Sequence, residues 1–259
     1  MLQLNKIYAG DCLELMSGID DGSIDMILCD LPYGISACHW DIIIPFDRLW
    51  PQYKRIIKNN GAIVLTASQP FTTDLIMSNR EMFKYEWIWD KGMGTNFLLA
   101  HKMPLKAHEN ICVFYKNLPT YNPQKNQYKH PDSLKKTHVT GYRYSEHYRK
   151  IKALPDNKDI LKFPTSVIYI RNQNTSNQFK KQLDNYHATK KPVKLFKYLI
   201  ETYTNPGEVV LDNCIGSGTT AIAAVMSDRK FIGMEIDPAI IEIANKRIER
   251  AFYQTSLEL

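Results

Sequence analysis

Three acids stand where apolar runs give out: Asp30 after Ile24–Cys29, Asp212 after Val209–Leu211 and Glu235 after Phe231–Met234. The first begins Asp30-Leu31-Pro32-Tyr33, a set suited to gripping the exocyclic amine of a planar base. A carboxylate at Asp30 accepts one N–H, and the carbonyl of Leu31 accepts the other. Pro32 stiffens the turn, and the Tyr33 ring offers a face for stacking. The plain alternative is a strand ending in a Pro-Tyr turn, since turns favour Asp and Pro anyway.

The second group reads strand, acid, Gly-x-Gly, helix, strand, acid. In Asp212-Asn213-Cys214-Ile215-Gly216-Ser217-Gly218-Thr219-Thr220, Gly216 and Gly218 allow close backbone approach to a ligand. Thr219 and Thr220 bring hydroxyls and N–H groups to the start of the next helix. Glu235, with Ile236 beside it, is placed to take both hydroxyls of a ribose, the usual job of an acid there in doubly wound folds. The third glycine of the dinucleotide fingerprint is missing, because Ala221 follows Thr220. The loop therefore favours an adenosine with a compact charged tail over a dinucleotide. A tight turn without ligand is the alternative for this segment alone. With both groups on one sheet edge, the implied chemistry is methyl transfer from S-adenosylmethionine to an amino nitrogen.

Positioning these groups requires alternating strands and helices. Strands are expected at Gln3–Ala9, Ile24–Leu28, Ala62–Thr66, Phe83–Trp89, Glu109–Lys116, Ser166–Ile170, Glu208–Leu211 and Phe231–Met234. Phe46–Ile57 has helical spacing, with Asn59-Asn60-Gly61 expected to close it. Further helices are expected at Cys12–Met16, from Pro70 to about Ser78, and at Val193–Tyr203, Ala221–Val225 and Pro238–Ala251. Trp87 and Trp89 read as core, and Gly92–Asn96 as a loop or turn. The fold class is α/β: a Rossmann-like, doubly wound, mostly parallel sheet with an inserted region.

At 259 residues the chain fits one large α/β domain with an insert, and 44% hydrophobic and 23% charged residues are globular values. No apolar run reaches a membrane span. No signal peptide is evident, so a cytoplasmic location is expected. Five scattered cysteines without a Cys-x-x-Cys pair speak against a disulfide framework or a zinc site. Cys38-His39 lacks further ligands nearby in sequence, and no metal is expected. The basic excess is concentrated: residues 117–185 hold thirteen Lys and Arg against five Asp and Glu, with six tyrosines. Such a surface suits a phosphate backbone. Candidate DNA contacts are Lys135, Lys136, Arg143, Arg149 and Lys150, with Trp40 either closing over the target or simply packed in its loop. The expected organisation is a catalytic half at 1–116, a target-recognition insert at 117–185 and a cofactor half at 186–259.

On these motifs the chain resembles the amino-methylating DNA methyltransferases, which act on N6 of adenine or N4 of cytosine, in their permuted beta-type order. The motifs are Asp30 to Tyr33, His187-Ala188-Thr189-Lys190-Lys191-Pro192, Asp212 to Thr220 and Phe231 to Asp237. The resemblance implies a catalytic Asp30, Leu31, Pro32 and Tyr33, and an S-adenosylmethionine site. That site would draw on Asp11 and Cys12 near the adenine, on Asp30, and on His187 and Lys191 towards the methionine end. The loop residues Asp212, Asn213, Cys214, Gly216, Ser217, Gly218, Thr219 and Thr220 would complete it, with Glu235 and Ile236. Leu31 stands where the family has proline, and Asn213-Cys214 where it has Pro-Phe. An acid at position 30 goes with adenine in this family, and serine with cytosine. The implied partner is double-stranded DNA with a flipped-out base. A cognate restriction endonuclease and a homodimer are partners that the resemblance admits. Cytosine N4 is the runner-up target. RNA or glutamine methylation usually pairs Asn-Pro-Pro-Tyr with the opposite motif order, and a silent DNA-binding relative would not need Asp30, Tyr33 and Glu235.

Overall fold

The alternation of large apolar residues on successive strands builds a sheet buried on both faces. The computed structural model describes residues 2–35, 41–125, 163–171 and 190–257. Its strands are β1 (Lys6–Ala9), β2 (Ile24–Asp30), β3 (Ile57–Ala67), β4 (Phe83–Thr95), β5 (Lys106–Phe114), β6 (Val167–Tyr169), β7 (Val209–Asp212) and β8 (Lys230–Glu235). They form one sheet in the order β1-β8-β7-β2-β3-β5-β4-β6. Every pairing is parallel except those of β5, which runs against β3 and β4.

The helices are α1 (Cys12–Leu15), α2 (Phe46–Ile56), α3 (Phe71–Ser78), α4 (Val193–Tyr203), α5 (Thr219–Val225) and α6 (Pro238–Leu257). Leu49, Trp50, Tyr53 and Ile56 of α2, with Phe71 and Leu75 of α3, cover one face together with Ile27, Cys29, Ile63 and Leu65. Leu195, Phe196 and Leu199 of α4, with the small residues of α5 and Ala244 and Ile248 of α6, cover the other with Met26, Leu28, Ala62 and Val64. The period-2 rule thus assigns each strand residue to a layer. No described helix is long and apolar enough to cross a membrane.

The chain winds outward in opposite directions from the β7–β2 seam: β2 leads through α2 to β3, and β7 leads through α5 to β8. Such a switch point opens a crevice at the carboxyl ends of the strands. Asp30 and Asp212 end the two strands that meet there.

Two local expectations are corrected. Asn59-Asn60-Gly61 does not terminate α2, because Ile57 already has extended geometry and opens β3. The three residues form a bulge, in which the register jumps from Ile24–Ile57 to Met26–Ala62. Glycine is needed at 61 for close approach, since a Cβ would lie 2.8 Å from the Asp25 carbonyl oxygen and 2.7 Å from Ile57. Gly92–Thr95 is not a free loop either, but an irregular continuation of β4 that recovers its pairing at Thr95–Lys106. Trp87 and Trp89 are buried, their indole N–H groups donating to the Tyr203 hydroxyl and the Ile170 carbonyl. The expected strand around 166–170 is β6, which pairs with β4 and joins part of the basic segment to the sheet.

Candidate active site

The layer rule also aims the polar residues at the sheet edge. Met26 and Leu28 face α4, so Asp30, two residues on, leaves β2 on that same side. Its in-register neighbour on β3 is Thr66, which continues the Ala62–Val64 row. On β5, Ile111 and Val113 face the same way, and so does Glu109 beyond them. On β4, Trp87 and Trp89 lead to Lys91. Four strand ends therefore converge on one spot, and Lys191, just before α4, enters it from the helix side.

Asp30 is the hub. Its Oδ1 accepts from the Tyr33 hydroxyl at 2.7 Å and from the Thr66 hydroxyl. Its Oδ2 accepts from Lys191 Nζ at 2.8 Å. The same ammonium lies 3.2 Å from Glu109 Oε2, and Lys91 Nζ lies 3.4 Å from Glu109 Oε1. The side chain of Lys191 is 8% exposed and that of Asp30 29%. Burial alone would lower the Lys191 pKa, but the Asp30 and Glu109 carboxylates more than reverse this and raise it. Lys106 donates to the Ser68 hydroxyl, and its pKa is lowered by burial, with Lys91 and Lys191 adding repulsion.

Burial, then the Asp30 charge, pushes the Tyr33 phenol well up, so it remains a donor. The ring stacks on Phe71 at 5.1 Å, and Lys191 Nζ lies 5.4 Å from its centroid. Leu31 is 3% exposed and belongs to the α2–α3 layer. Its side chain is an apolar anchor for the turn that carries its carbonyl. Asp41 ties the next residues down, accepting from Gly34 N at 2.8 Å and Ile35 N at 3.0 Å.

The glycine loop is held from within. Asp212 is 2% exposed and accepts from Cys214 N at 3.0 Å and from the Thr220 hydroxyl. Burial pushes its carboxyl up to about 6, against the pull of those bonds. Asn213 accepts from the buried Tyr53 hydroxyl at 2.6 Å, and its amide reaches Cys12 Sγ at 3.5 Å and Cys214 Sγ at 3.6 Å. The Cys12 thiol is raised by its contact with Cys214 and then by burial, which disfavours a nucleophilic thiolate. Ser217 accepts from Arg247 through both its carbonyl and its hydroxyl. Asp212, Ser217 and Thr220 thus make side-chain hydrogen bonds that shape the loop, and Thr219 is 7% exposed.

Gly216 and Gly218 both have positive φ, at 49° and 84°. A Cβ on Gly216 would meet nothing nearer than the Cys214 carbonyl at 4.0 Å, so the space above it is open. Glu235 faces this space, with Oε2 3.0 Å from Gly216 N and Oε1 accepting from Ile236 N and Asp237 N. Ile236 is 65% exposed. Asp11 caps α1, accepting from Leu13 N at 2.7 Å and Glu14 N at 3.3 Å. His187, Trp40, Lys135, Lys136, Arg143, Arg149, Lys150 and the Cys38-His39 pair lie outside the described residues. Among the described residues no group of His, Cys, Asp and Glu could hold a metal ion.

A model of the N6/N4 DNA methylase family matches residues 24–246, from the start of β2 into α6. The chain belongs to the N6/N4 DNA methylase family. It is a DNA methyltransferase of the class that modifies adenine N6 or cytosine N4, and the crevice at the β7–β2 seam is its candidate active site. The DNA adenine methyltransferase YhdJ of Escherichia coli K12 is 28% identical, with 99% of this chain and 87% of YhdJ aligned. Among solved structures, the PvuII cytosine-N4 DNA methyltransferase superposes with a TM-score of 0.66 at 17% identity, covering 96% of this methylase and 91% of that chain. The M1.HpyAVI–SAM complex superposes with a TM-score of 0.59 at 20% identity, covering 93% and 97%. Likeness at that identity carries the fold.

Thr66, Glu109, Lys91 and Lys106 were not singled out from the sequence as site residues. A signal exists for Thr66, Glu109 and Lys91: each breaks an apolar strand row at its crevice end, in phase with the α4-facing positions, whereas Lys106 is out of phase with Glu109.

Proposed function

We propose that this methylase transfers a methyl group from S-adenosylmethionine to N6 of an adenine extruded from double-stranded DNA, with Asp30 as the residue that holds the amine. The observation that carries the reading is the hydrogen-bond count at Asp30. An ionised carboxylate offers about four lone-pair directions. Tyr33, Thr66 and Lys191 occupy three, and the side chain is still partly exposed. One direction remains for an incoming N–H donor. The Leu31 carbonyl, on the turn anchored by its buried side chain, is the second acceptor.

An aromatic amine is a poor nucleophile, because its lone pair is conjugated with the ring. Two acceptors on its N–H bonds favour a pyramidal nitrogen and stabilise the positive charge that grows there during transfer. Lys191 and Thr66 keep the carboxylate in one orientation, so little reorganisation is needed at the moment of reaction. The stack of Tyr33 on Phe71 fixes one wall of the amine pocket.

The glycine loop and Glu235 fit an adenosyl group. Open space stands over Gly216, a carboxylate suited to a diol flanks it, and Ile236 offers an apolar surface. When bound, S-adenosylmethionine supplies an electrophilic methyl on a sulfonium. The basic segment 117–185, proposed as the target-recognition region, supplies the charge for phosphates.

The adenine reading follows from Asp at position 30 and agrees with the name of YhdJ. The test is to incubate the protein with labelled S-adenosylmethionine and unmethylated DNA, digest, and identify the labelled nucleoside. N6-methyladenine is expected; N4-methylcytosine would overturn the base assignment, and no label would overturn the reaction. Asp30→Ala should abolish transfer and leave cofactor binding within about threefold of wild type, as measured by calorimetry. Lost cofactor binding would mean that Asp30 serves the other ligand.

A further inference from the structure

The hairpin between β4 and β5 projects from the same sheet edge as Asp30, and its tip is apolar. Phe97 is 64% exposed and Leu98 99%. These residues form a short 3-10 turn, Phe97–Leu99, closed by bonds from Leu99 N to Asn96 O, Ala100 N to Phe97 O and Lys102 N to Leu99 O. The stem below is tight. Thr95 donates from its hydroxyl to the Lys106 carbonyl at 3.0 Å, and a Cβ on Gly94 would lie 2.5 Å from the Leu105 Cβ. An ordered stem thus holds two large apolar side chains in solvent, against the hydrophobic effect.

Charge indicates what covers them. Residues 91–108 contain no Asp or Glu, and with Lys91 buried against Glu109 and Lys106 bonded to Ser68, Lys102 beside His101 is the exposed cation next to the tip. An apolar tip flanked by a lysine and free of acids suits a polyanion with an apolar interior, which is a nucleic-acid duplex. Position adds to this. β5 lies two strand spacings from β2 and β4 three, so the stem stands roughly 10–15 Å from the strand that carries Asp30. A base extruded into the Asp30 pocket leaves its gap in the stack at a comparable distance.

We propose that Leu98, supported by Phe97, is a wedge that enters the duplex where the target base has left the stack, while His101 and Lys102 meet the flanking phosphates. Apolar wedges between base steps offset the cost of unstacking, about a few kcal/mol per step. The inference rests on the DNA methyltransferase reading and adds to it how the extruded state is stabilised.

The test uses the full chain. The site is first mapped by sequencing DNA methylated by the wild type. Short duplexes with that site are then prepared with the target base opposite its normal partner or opposite an abasic position, where extrusion is cheap. Leu98→Ser and Phe97→Ser lie at an exposed tip and should retain the wild-type melting temperature and cofactor affinity. Leu98→Ser is expected to slow single-turnover transfer at least tenfold on the paired duplex and less than threefold on the abasic one. Equal slowing on both duplexes, or none on either, would overturn the wedge. So would a wild-type dimer that the substitution dissociates in sedimentation, since the tip would then be an interface between copies. If the wild type methylates no DNA, the underlying function fails instead, and that control is read before any variant.

Discussion

Replacing Lys191 with methionine keeps the length of the side chain and removes the ammonium that joins Asp30 to Glu109. At 2.8 and 3.2 Å, with an effective dielectric of about 20, the two attractions have gross energies of roughly 6 and 5 kcal/mol. Desolvation of a side chain only 8% exposed offsets much of that. Removing one partner of such a buried pair typically costs about 3–5 kcal/mol, because the other charge stays behind. Lys191→Met is therefore expected to lower the unfolding free energy by about 3 kcal/mol at pH 7, measured by urea titration. Glu109→Gln added to it should recover part of the loss, with a coupling of at least about 1 kcal/mol in the double-mutant cycle. Transfer should stay at least tenfold down in the double variant, because Asp30 has still lost its holder. The pKa of Lys191 is raised in the fold, so its contribution is fully present below the unfolded value near 10.5 and is lost only as pH rises through the higher folded value. The deficit of the variant should thus be flat on the Lys191 side up to about pH 10. A cost below about 1 kcal/mol, with additive single variants, would refute the argument that this ion triad is a buried unit.

The carboxyl of Asp212 is raised from 3.8 to about 6, so its stability contribution is present below about pH 4 and lost as pH rises through 6. Asp212→Asn should therefore gain on the wild type by up to about 3 kcal/mol between pH 4 and 7, read as a difference of urea midpoints. Tyr203→Phe leaves the buried Trp87 indole without its acceptor and should cost about 1–3 kcal/mol in thermal or urea unfolding. Gly61→Ala drives a Cβ against the Asp25 carbonyl and should destabilise by about 1–3 kcal/mol, whereas Gly22→Ser, with nothing near its Cβ position, should cost less despite its φ of 59°.

The strands and long helices were legible because their apolar residues repeat with periods of 2 and 3.6, and burial on both sheet faces enforces those periods. Asp30 and Glu235 were legible as acids at strand ends. Asn59-Asn60-Gly61 was misread because a turn-type tripeptide looks the same in a helix terminator and in a bulge; only the close approach of the Asp25 carbonyl distinguishes them. Gly92–Thr95 was misread for the same reason, since two glycines conceal a strand that continues through an irregularity. Thr66 of β3 and Lys191 before α4 reach Asp30, and Glu109 of β5 reaches Lys191, so the strand order had to be known before these residues could be brought together. The hydrogen bond from the Thr220 hydroxyl to Asp212 across the glycine loop was not legible in the sequence, which shows only that both residues belong to that loop.

Lys125 and Phe163 bound the stretch 126–162, and they meet: the ammonium of one lies 4.7 Å over the ring of the other. On one side Asn122 is tied to the end of α4 through the Thr202 and Thr204 carbonyls, and on the other β6 is hydrogen-bonded to β4. The described residues on either side of 126–162 are thus held together at this point. Joining two ends held this close depends weakly on the number of residues between them, since doubling that number costs only about 0.6 kcal/mol for a flexible chain. Changes of length within 126–162 are therefore expected to leave the surroundings of Asp30 and Glu235 unchanged. On the proposal that 117–185 is the target-recognition region, exchanging that stretch is expected to change the recognition sequence and leave the chemistry at Asp30 as it was.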